Sequence, residues 1–427
     1  MEKIWDQTDL KVQINRTFLL IKKFFPALGH KNYRAYFIGQ VVSLIGTWLQ
    51  TVAQGWLVFE LTKSAFMVGF VTALGFLPVL LFSLLGGVLV DRFHKRQLLI
   101  LTQALSMILG IILGLLALTG HATVLWVSIL AFLTGLVNAL DAPARQSFTV
   151  ELVGSEHLPS AIALNMGSFN VARVIGPAIA GILIASFGTG WAFLLNGLSF
   201  LGPLIALLWM NVKSDIPKHH PHPFQSIKIG LDYVRGHQYI KSLLIFIAIS
   251  SIFGWPYTTM MPIISEQVFH SDAAGLGILY SVAGAGAIVS TLIISGFYKK
   301  FKVDNLIYIG SVIFSIAIIV FSLTSKFSYA LPALFFTGMG LALQNALVNS
   351  AIQHKTESAL RGRVMSIFIM CLMGMQPVGS FQIGFVTEYF GPQFALAMGG
   401  FAMLMNLLFL YYSLNKKTAG SIEIAKN

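Results

Sequence analysis

Long apolar runs alternate with short polar connections from one end of the chain to the other. Twelve runs are long enough to cross a bilayer, which takes about 20 apolar residues. They lie near 34–59, 67–90, 98–118, 124–143, 161–186, 191–210, 241–266, 274–297, 305–325, 329–350, 364–389 and 393–414. Polar positions inside the runs are few and regularly spaced. In span 1, Gln40, Ser43, Thr47, Gln50 and Gln54 recur every three or four residues. At about 100° per residue they share one narrow helix face. Hydrocarbon gives such a face no hydrogen-bond partner, so it is expected to border a wet cavity. Span 4 has a shorter stripe of Thr134, Asn138, Asp141 and Arg145. Hydrogen bonding between helices is the alternative use of either stripe. The pattern predicts an all-α integral membrane protein.

Charge refines this picture. Only 10% of the 427 residues are charged, against about 25% in soluble domains. The net charge of +12 does not mark a nucleic-acid binder, because the basic residues sit in short loops between apolar runs. One set of connections and the two termini hold 25 of the 28 lysines and arginines. The opposite set holds only Lys63 and Lys326, and Arg173 lies inside span 5. The excess of positive charge places both termini on the cytoplasmic side. The apolar run 18–21 is too short for a secretory signal. A single cysteine, Cys371, excludes a disulfide within the chain.

The longest polar connection, 211–240, lies at the midpoint and holds His219, His220 and His222. Its second part, Phe224 to Tyr239, has the apolar spacing of a short amphipathic helix, with Ile227, Leu231 and Val234 on one side. The two sides of this linker match when the sequence is shifted by 203 residues. Phe132, Thr134 and Gly135 meet Phe335, Thr337 and Gly338, and Gly181, Gly188 and Gly197 meet Gly384, Gly391 and Gly400. One register thus relates spans 4–6 to spans 10–12. The expected organisation is a basic amphipathic extension (1–33), two six-helix bundles (34–210 and 241–414), the linker, and a short tail (415–427). Parallel repeats of this kind carry a substrate site between their halves near the midplane.

Arg173 is the most informative single residue. It falls near the middle of span 5, where a charge is costly and faces a cavity or a partner. Its equivalent at the 203 offset is Gln376, also polar. Span 7 contains Gly254, Trp255, Pro256 and Tyr257. Glycine with proline predicts a helix break there, and the two aromatic rings could stack on a ligand or simply pack. Substrate-binding candidates are therefore Arg173, Gln376, Gln40, Thr47, Gln50, Gln54, Asn138, Trp255 and Tyr257.

Several motifs carry a family resemblance. Gly87, Asp91, Arg92, Lys95 and Arg96 after span 2 resemble the signature of the major facilitator superfamily. A carboxylate beside arginines at a helix end can hold neighbouring helices in one conformation and release them in the other. Asp91, Arg92, Lys95 and Arg96 are thus gating candidates, with Arg361 and Arg363 before span 11. Gly176, Pro177 and Gly181 in span 5 resemble a Gly-Pro signature of antiporters in that superfamily and are read as packing and bending positions. Asn32-Tyr33-Arg34, Gly46-Thr47-Trp48, Pro143-Ala144-Arg145 and Arg361-Gly362-Arg363 resemble the enterobactin-exporter-like group. The resemblance covers about residues 27–414. It implies twelve helices in two pseudo-symmetric bundles and export of a siderophore or hydrophobic drug-like compound.

The sequence has no ATP-binding loop; Gly284 and Gly286 lie inside span 8 with no strand before them. Transport should therefore draw on an ion gradient, with protons as the expected coupling ion. No acid stands at the centre of a predicted span. Asp141, Glu388 and Glu266, near span ends, are the coupling candidates. Met370, Cys371, Met373 and Met375 are read as packing, not as a copper site, and the histidine cluster as solvated linker. No enzymatic motif, metal site, cofactor or nucleic-acid partner is expected. The expected partners are a small-molecule substrate, protons and the lipid of a bacterial inner membrane, around a monomer. Import of a nutrient or metal chelate, or a non-transporting receptor or assembly factor, are the alternatives.

Overall fold

A computed structural model describes residues 25–210, 223–297, 301–357 and 360–424. These residues are helical throughout, with short turns. A 3-10 turn, Pro26–Gly29, leads into α1 (Lys31–Thr62), followed by α2 (Ala65–Arg92), α3 (Lys95–Leu118) and α4 (Val124–Phe187). Span 6 is α5 (Thr189–Ser199) and α6 (Leu201–Trp209). The linker helix α7 (Pro223–Gly236) precedes the second half. Span 7 is α8 (Gln238–Phe253), a 3-10 turn (Trp255–Thr258), α9 (Met261–Ile263) and a π-helical turn (Ile264–Val268). Then come α10 (Ala273–Phe297), α11 (Val303–Leu323), α12 (Phe327–Lys355), α13 (Arg361–Met373), α14 (Gln376–Phe390) and α15 (Pro392–Ile424). Eleven described stretches are long and apolar enough to span a membrane. One of them, α4, has 64 residues. At 1.5 Å per residue a straight helix of that length reaches about 96 Å, three times the hydrocarbon thickness of about 30 Å. It bends at Gly154, whose φ of 71° and ψ of 172° are open to glycine alone. Spans 4 and 5 are its two arms, giving twelve crossings. Leu125, Ile182, Met405 and Leu408 on the outer faces are more than half exposed, a surface suited to lipid.

Two expectations are corrected here. The connection between spans 4 and 5 is helical on both sides of Gly154, because Ala144, Phe148 and Leu152 continue a buried stripe at four-residue spacing. The linker helix stops at Gly236, since His237 has non-helical angles, so Gln238 and Tyr239 belong to span 7. The break in span 7 lies where glycine and proline place it: α8 ends at Phe253 and Pro256 sits in the following 3-10 turn. The extension 1–24 and the histidines at 219–222 lie outside the described residues.

The duplication is visible in backbone geometry. Gly188 and Gly391, matched at the 203 offset, adopt φ of 84° and 83° at the same kind of helix junction. The halves meet at two glycine crossings, in which Gly181 and Gly384 are matched at the 203 offset. In one, a Cβ on Gly181 of α4 would stand 2.7 Å from the Ala273 carbonyl oxygen and 2.9 Å from Gly277 Cα on α10. In the other, a Cβ on Gly69 of α2 would stand 2.4 Å from the Ser380 carbonyl oxygen and 2.8 Å from Gly384 Cα on α14. Between them Lys63 Nζ donates to Glu266 at 2.7 Å. This ion pair joins the connection after α1 in the first half to span 7 in the second. Overpacking a glycine crossing costs about 1–3 kcal/mol. Gly69→Ala and Gly181→Ala should each lower the thermal midpoint of the purified protein, while Gly167→Ala, with open space around its Cβ, should not. Equal midpoints for all three would show that the crossings are not tight.

Candidate functional site

Apolar and polar side chains of α1 to α5 together surround a cavity of about 590 Å³. Every residue of the span 1 stripe lines it: Gln40, Ser43, Thr47, Gln50 and Gln54. So does the span 4 stripe of Thr134, Asn138, Asp141 and Arg145. Thr47 and Asn138 are exposed to this space, whereas Gln40 and Ser43 are buried at its wall. Some of these groups also bond other helices. Gln50 accepts from Asn196 Nδ2 at 2.5 Å, and the Thr47 hydroxyl donates to the Ser43 carbonyl of its own helix. The lining comes from the first half of the chain apart from Met373. Gln103 and Ser106 of α3 and Asn165 and Ser168 of the second arm of α4 also contribute. Sequence reasoning passed over them, although Thr102, Gln103 and Ser106 are a polar patch one turn long in an otherwise apolar span.

Asp141 anchors the most charged corner. The helix continues past it to Val153, so it lies inside α4 and not at its end, and it is only 3% exposed. Its Oδ1 accepts from Thr102 Oγ1 at 2.7 Å and from Gln103 Nε2 at 2.7 Å. Its Oδ2 pairs with the Arg145 guanidinium one turn away. A buried carboxylate needs this number of donors, because its desolvation cost is large.

Arg173 has a different setting. It is buried and does not line the cavity. Its guanidinium carbon lies 5.9 Å from the Trp48 ring centroid and 5.3 Å from that of Trp255. One terminal nitrogen points to Tyr257 Oη at 3.5 Å. Trp48 belongs to its own half; Trp255 and Tyr257 belong to the other. Arg173 thus clamps the two halves together, and the broken part of span 7 supplies the far side of the clamp. The next residue repeats the link, since Ser281 Oγ of α10 donates to the Val174 carbonyl at 3.0 Å. Gly176 lets α4 approach α1, where its Cβ would meet Trp48 Cβ at 2.6 Å. The Pro177 carbonyl faces Gly277. Gln376 opens α14 after a turn, half-buried, and does not line the cavity.

The remaining acids lie at the closed end of the halves. Glu266 holds Lys63, and Glu388 accepts from Ser64 Oγ at 3.1 Å and from the Phe66 backbone N–H at 3.0 Å. Ser64 is the N-cap of α2, so Glu388 reaches across from the other half to the positive end of that helix. At the opposite end, Lys95 pairs with Glu151, and Arg96 donates to the Leu207 and Leu208 carbonyls at 2.7 and 3.0 Å. These partners are within the first half. Arg361 is exposed, and Arg363 packs its Cβ against Gly230 of the linker helix. Asp91 and Arg92 end α2; their side chains lie outside the described part.

The comparisons with known proteins agree with this geometry. A family model described as transmembrane secretion effector, of major facilitator type, matches residues 23–425. The chain belongs to that family. It is similar to the staphyloferrin A transporter of Staphylococcus aureus, with 25% identity over 393 residues, covering 91% of this chain and 97% of the relative. It is also similar to the enterobactin exporter EntS of Citrobacter koseri, with 24% identity over 376 residues, covering 88% and 90%. Among solved structures, a D-xylose–proton symporter superposes with a TM-score of 0.71 at 16% identity, over 88% of this chain and 97% of that one. The nucleoside transporter NupG gives 0.69 at 11%, over 89% and 98%. These likenesses share the fold. The chain is a multi-pass membrane transporter of the major facilitator superfamily and not an enzyme.

A planar cation between two indoles is worth about 0.5–2 kcal/mol, and lysine lacks the plane. Arg173→Ala should abolish transport in vesicles with membrane insertion unchanged, and Arg173→Lys should restore only part of the flux. Full flux in the alanine variant would remove the clamp from the transport cycle.

Proposed function

We propose that this transporter exports a small, oxygen-rich organic molecule of siderophore type across a bacterial inner membrane, driven by protons. The observation that carries this reading is the stripe from Gln40 to Gln54, all five members of which border one cavity. Amides and hydroxyls dominate its polar lining, and Asp141 and Arg145 are its charged pair. Such a surface, largely apolar with a few fixed amides and hydroxyls, suits a ligand that combines apolar area with hydrogen-bonding oxygens.

The distribution of lysine and arginine supports a cytoplasmic position for both termini. The closed end, with Lys63, Glu266 and Glu388, then faces outward, and the cavity is loaded from the cytosol. Alternating access requires the Lys63–Glu266 pair, the Glu388 cap and the Arg173 clamp to release together. The cytoplasmic basic residues Lys95, Arg96, Arg361 and Arg363, with Asp91 and Arg92, would close the other end in turn. Lys95 and Arg96 bond within one half in the present conformation, as an open gate requires. The exporter named among the relatives supports the direction.

Asp141 is the proton carrier in this reading. It is the acid in the cavity wall, and neutralising it would release Arg145, Thr102 and Gln103 at once. Proteoliposomes loaded with labelled siderophores or drugs under an imposed proton gradient test the proposal. Flux should depend on the gradient. Asp141→Asn should lose uphill transport yet keep downhill exchange of the same compound. Uphill transport by Asp141→Asn would rule out this carrier, and absence of gradient-dependent flux for every compound would contradict proton-coupled export.

A further inference from the structure

Arg173 is a buried cation without an anion. It is 6% exposed, and no carboxylate among the described residues forms an ion pair with it. Lys63, Lys95 and Arg145 each have one, in Glu266, Glu151 and Asp141. A guanidinium carries five N–H donors. That of Arg173 directs one of them to Tyr257 Oη at 3.5 Å, close to the outer limit of a hydrogen bond. Trp48 and Trp255 attract its charge through their rings, but a ring face offers no lone pair to the remaining N–H groups. Nε and Nη1 thus have no acceptor among the described residues, yet neither is fully enclosed, unlike Nε of Arg145.

The cavity comes within one helix turn of this cation. Asn165, Phe169 and Arg173 follow one another at four-residue spacing and share a face of the second arm of α4. The first two line the cavity. Phe169 is 41% exposed, and its ring meets the Trp48 ring edge-on at 5.7 Å. Trp48 in turn faces the guanidinium. Phe169 and Trp48 therefore form an aromatic partition between the cavity and an unmatched positive charge. Buried charges are ordinarily paired, and holding one unpaired is costly. We infer that Arg173 is an anion subsite behind the Phe169 wall of the cavity, and that its ligand is an aromatic anion, a flat ring bearing a carboxylate. The ligand ring takes the place of the Phe169–Trp48 contact, and the carboxylate oxygens accept from the N–H groups that lack a partner. A small inorganic anion matches the charge but cannot replace the rings, and a neutral ring leaves the cation unmatched. Because Tyr257 belongs to the second half, a guanidinium that turns to the ligand also weakens the tie between the halves.

This inference rests on the cavity being the transport site, and its test is separate from that reading. Benzoate and benzamide are the probes, since they match in ring and size and differ in charge. Binding of each to the purified full-length protein is measured by calorimetry at millimolar concentrations. Benzoate should bind about tenfold more tightly than benzamide, because a charge-assisted hydrogen bond is roughly twice as strong as a neutral one. Arg173→Gln should bring the two affinities together. Asp141→Asn combined with Arg145→Gln, which removes the charged pair of the cavity wall, should keep the preference for benzoate. Equal affinities of the unmodified protein for the two probes, or a preference that survives Arg173→Gln and disappears in the Asp141 and Arg145 double variant, would overturn the subsite. The unmodified protein and the double variant need no change at Arg173, so the test stands even where Arg173→Gln folds poorly. Vesicle flux of larger compounds judges the cavity by itself: flux without a benzoate preference removes only the subsite, and a benzoate preference without flux removes only the cavity's role in transport.

Discussion

Hydrocarbon cannot hydrogen-bond, and the structure is organised around that fact. Every polar side chain within a span must find protein or water. The amide and hydroxyl stripe of α1 solves the problem by turning toward other polar faces, from α3, both arms of α4 and α5. The resulting cavity exists because these groups are excluded from lipid. Its wall is held by bonds such as Asn196 to Gln50 and Gln103 to Asp141, while other groups are left open to a ligand. The two uses considered for the stripe, cavity lining and helix–helix bonding, occur together at Gln50.

Contact between the halves follows a second rule, that of close approach. Without a hydrophobic effect between helices in lipid, backbones must come near each other for dispersion to hold them. Gly181 with Gly277, and Gly69 with Gly384, provide two such approaches. The Lys63–Glu266 pair links the halves, and Arg173 adds a clamp of aromatic rings from both. These contacts are small, local and polar or van der Waals in nature. They are the kind of contact that a rocking motion can make and break without disturbing either bundle's interior.

Much of this was legible in the sequence, and the failures are instructive. The twelve crossings, the broken span 7 and the stripe of α1 follow directly from apolar run length, from glycine and proline, and from helical spacing. The repeat offset anticipates the closely similar backbone angles at Gly188 and Gly391. Asp141 was read as lying near the cytoplasmic end of span 4; that the helix itself runs on past it was not, because hydropathy falls after 143 although Ala144, Phe148 and Leu152 still keep helical spacing toward the core. Arg173 was recognised as unusual, but one chain position cannot show whether a buried cation faces a cavity or two indoles. Its partners Trp48 and Trp255 come from distant spans; Trp255 was read as a ring that could stack on a ligand or pack, and Trp48 only as part of a family motif. Glu266 and Glu388 were noticed as acids near helix ends. Their role at the contact between the halves depends on which helix tips meet, which no local pattern states. The same holds for the one-sided cavity, since the duplication pointed to a site between the halves.

Water access along α1 is the most direct test of this account. In a Cys371→Ser background, Thr47→Cys and Val42→Cys place single thiols on the cavity face and on an outward face of the same helix. The rate of labelling by a membrane-impermeant maleimide in inverted vesicles reads their surroundings. A thiol at 47 should react readily and one at 42 should not, because the reactive thiolate does not form in oil. Labelling at 42 with protection at 47 would mean that the polar stripe faces lipid or sealed protein, and the proposed cavity would not exist.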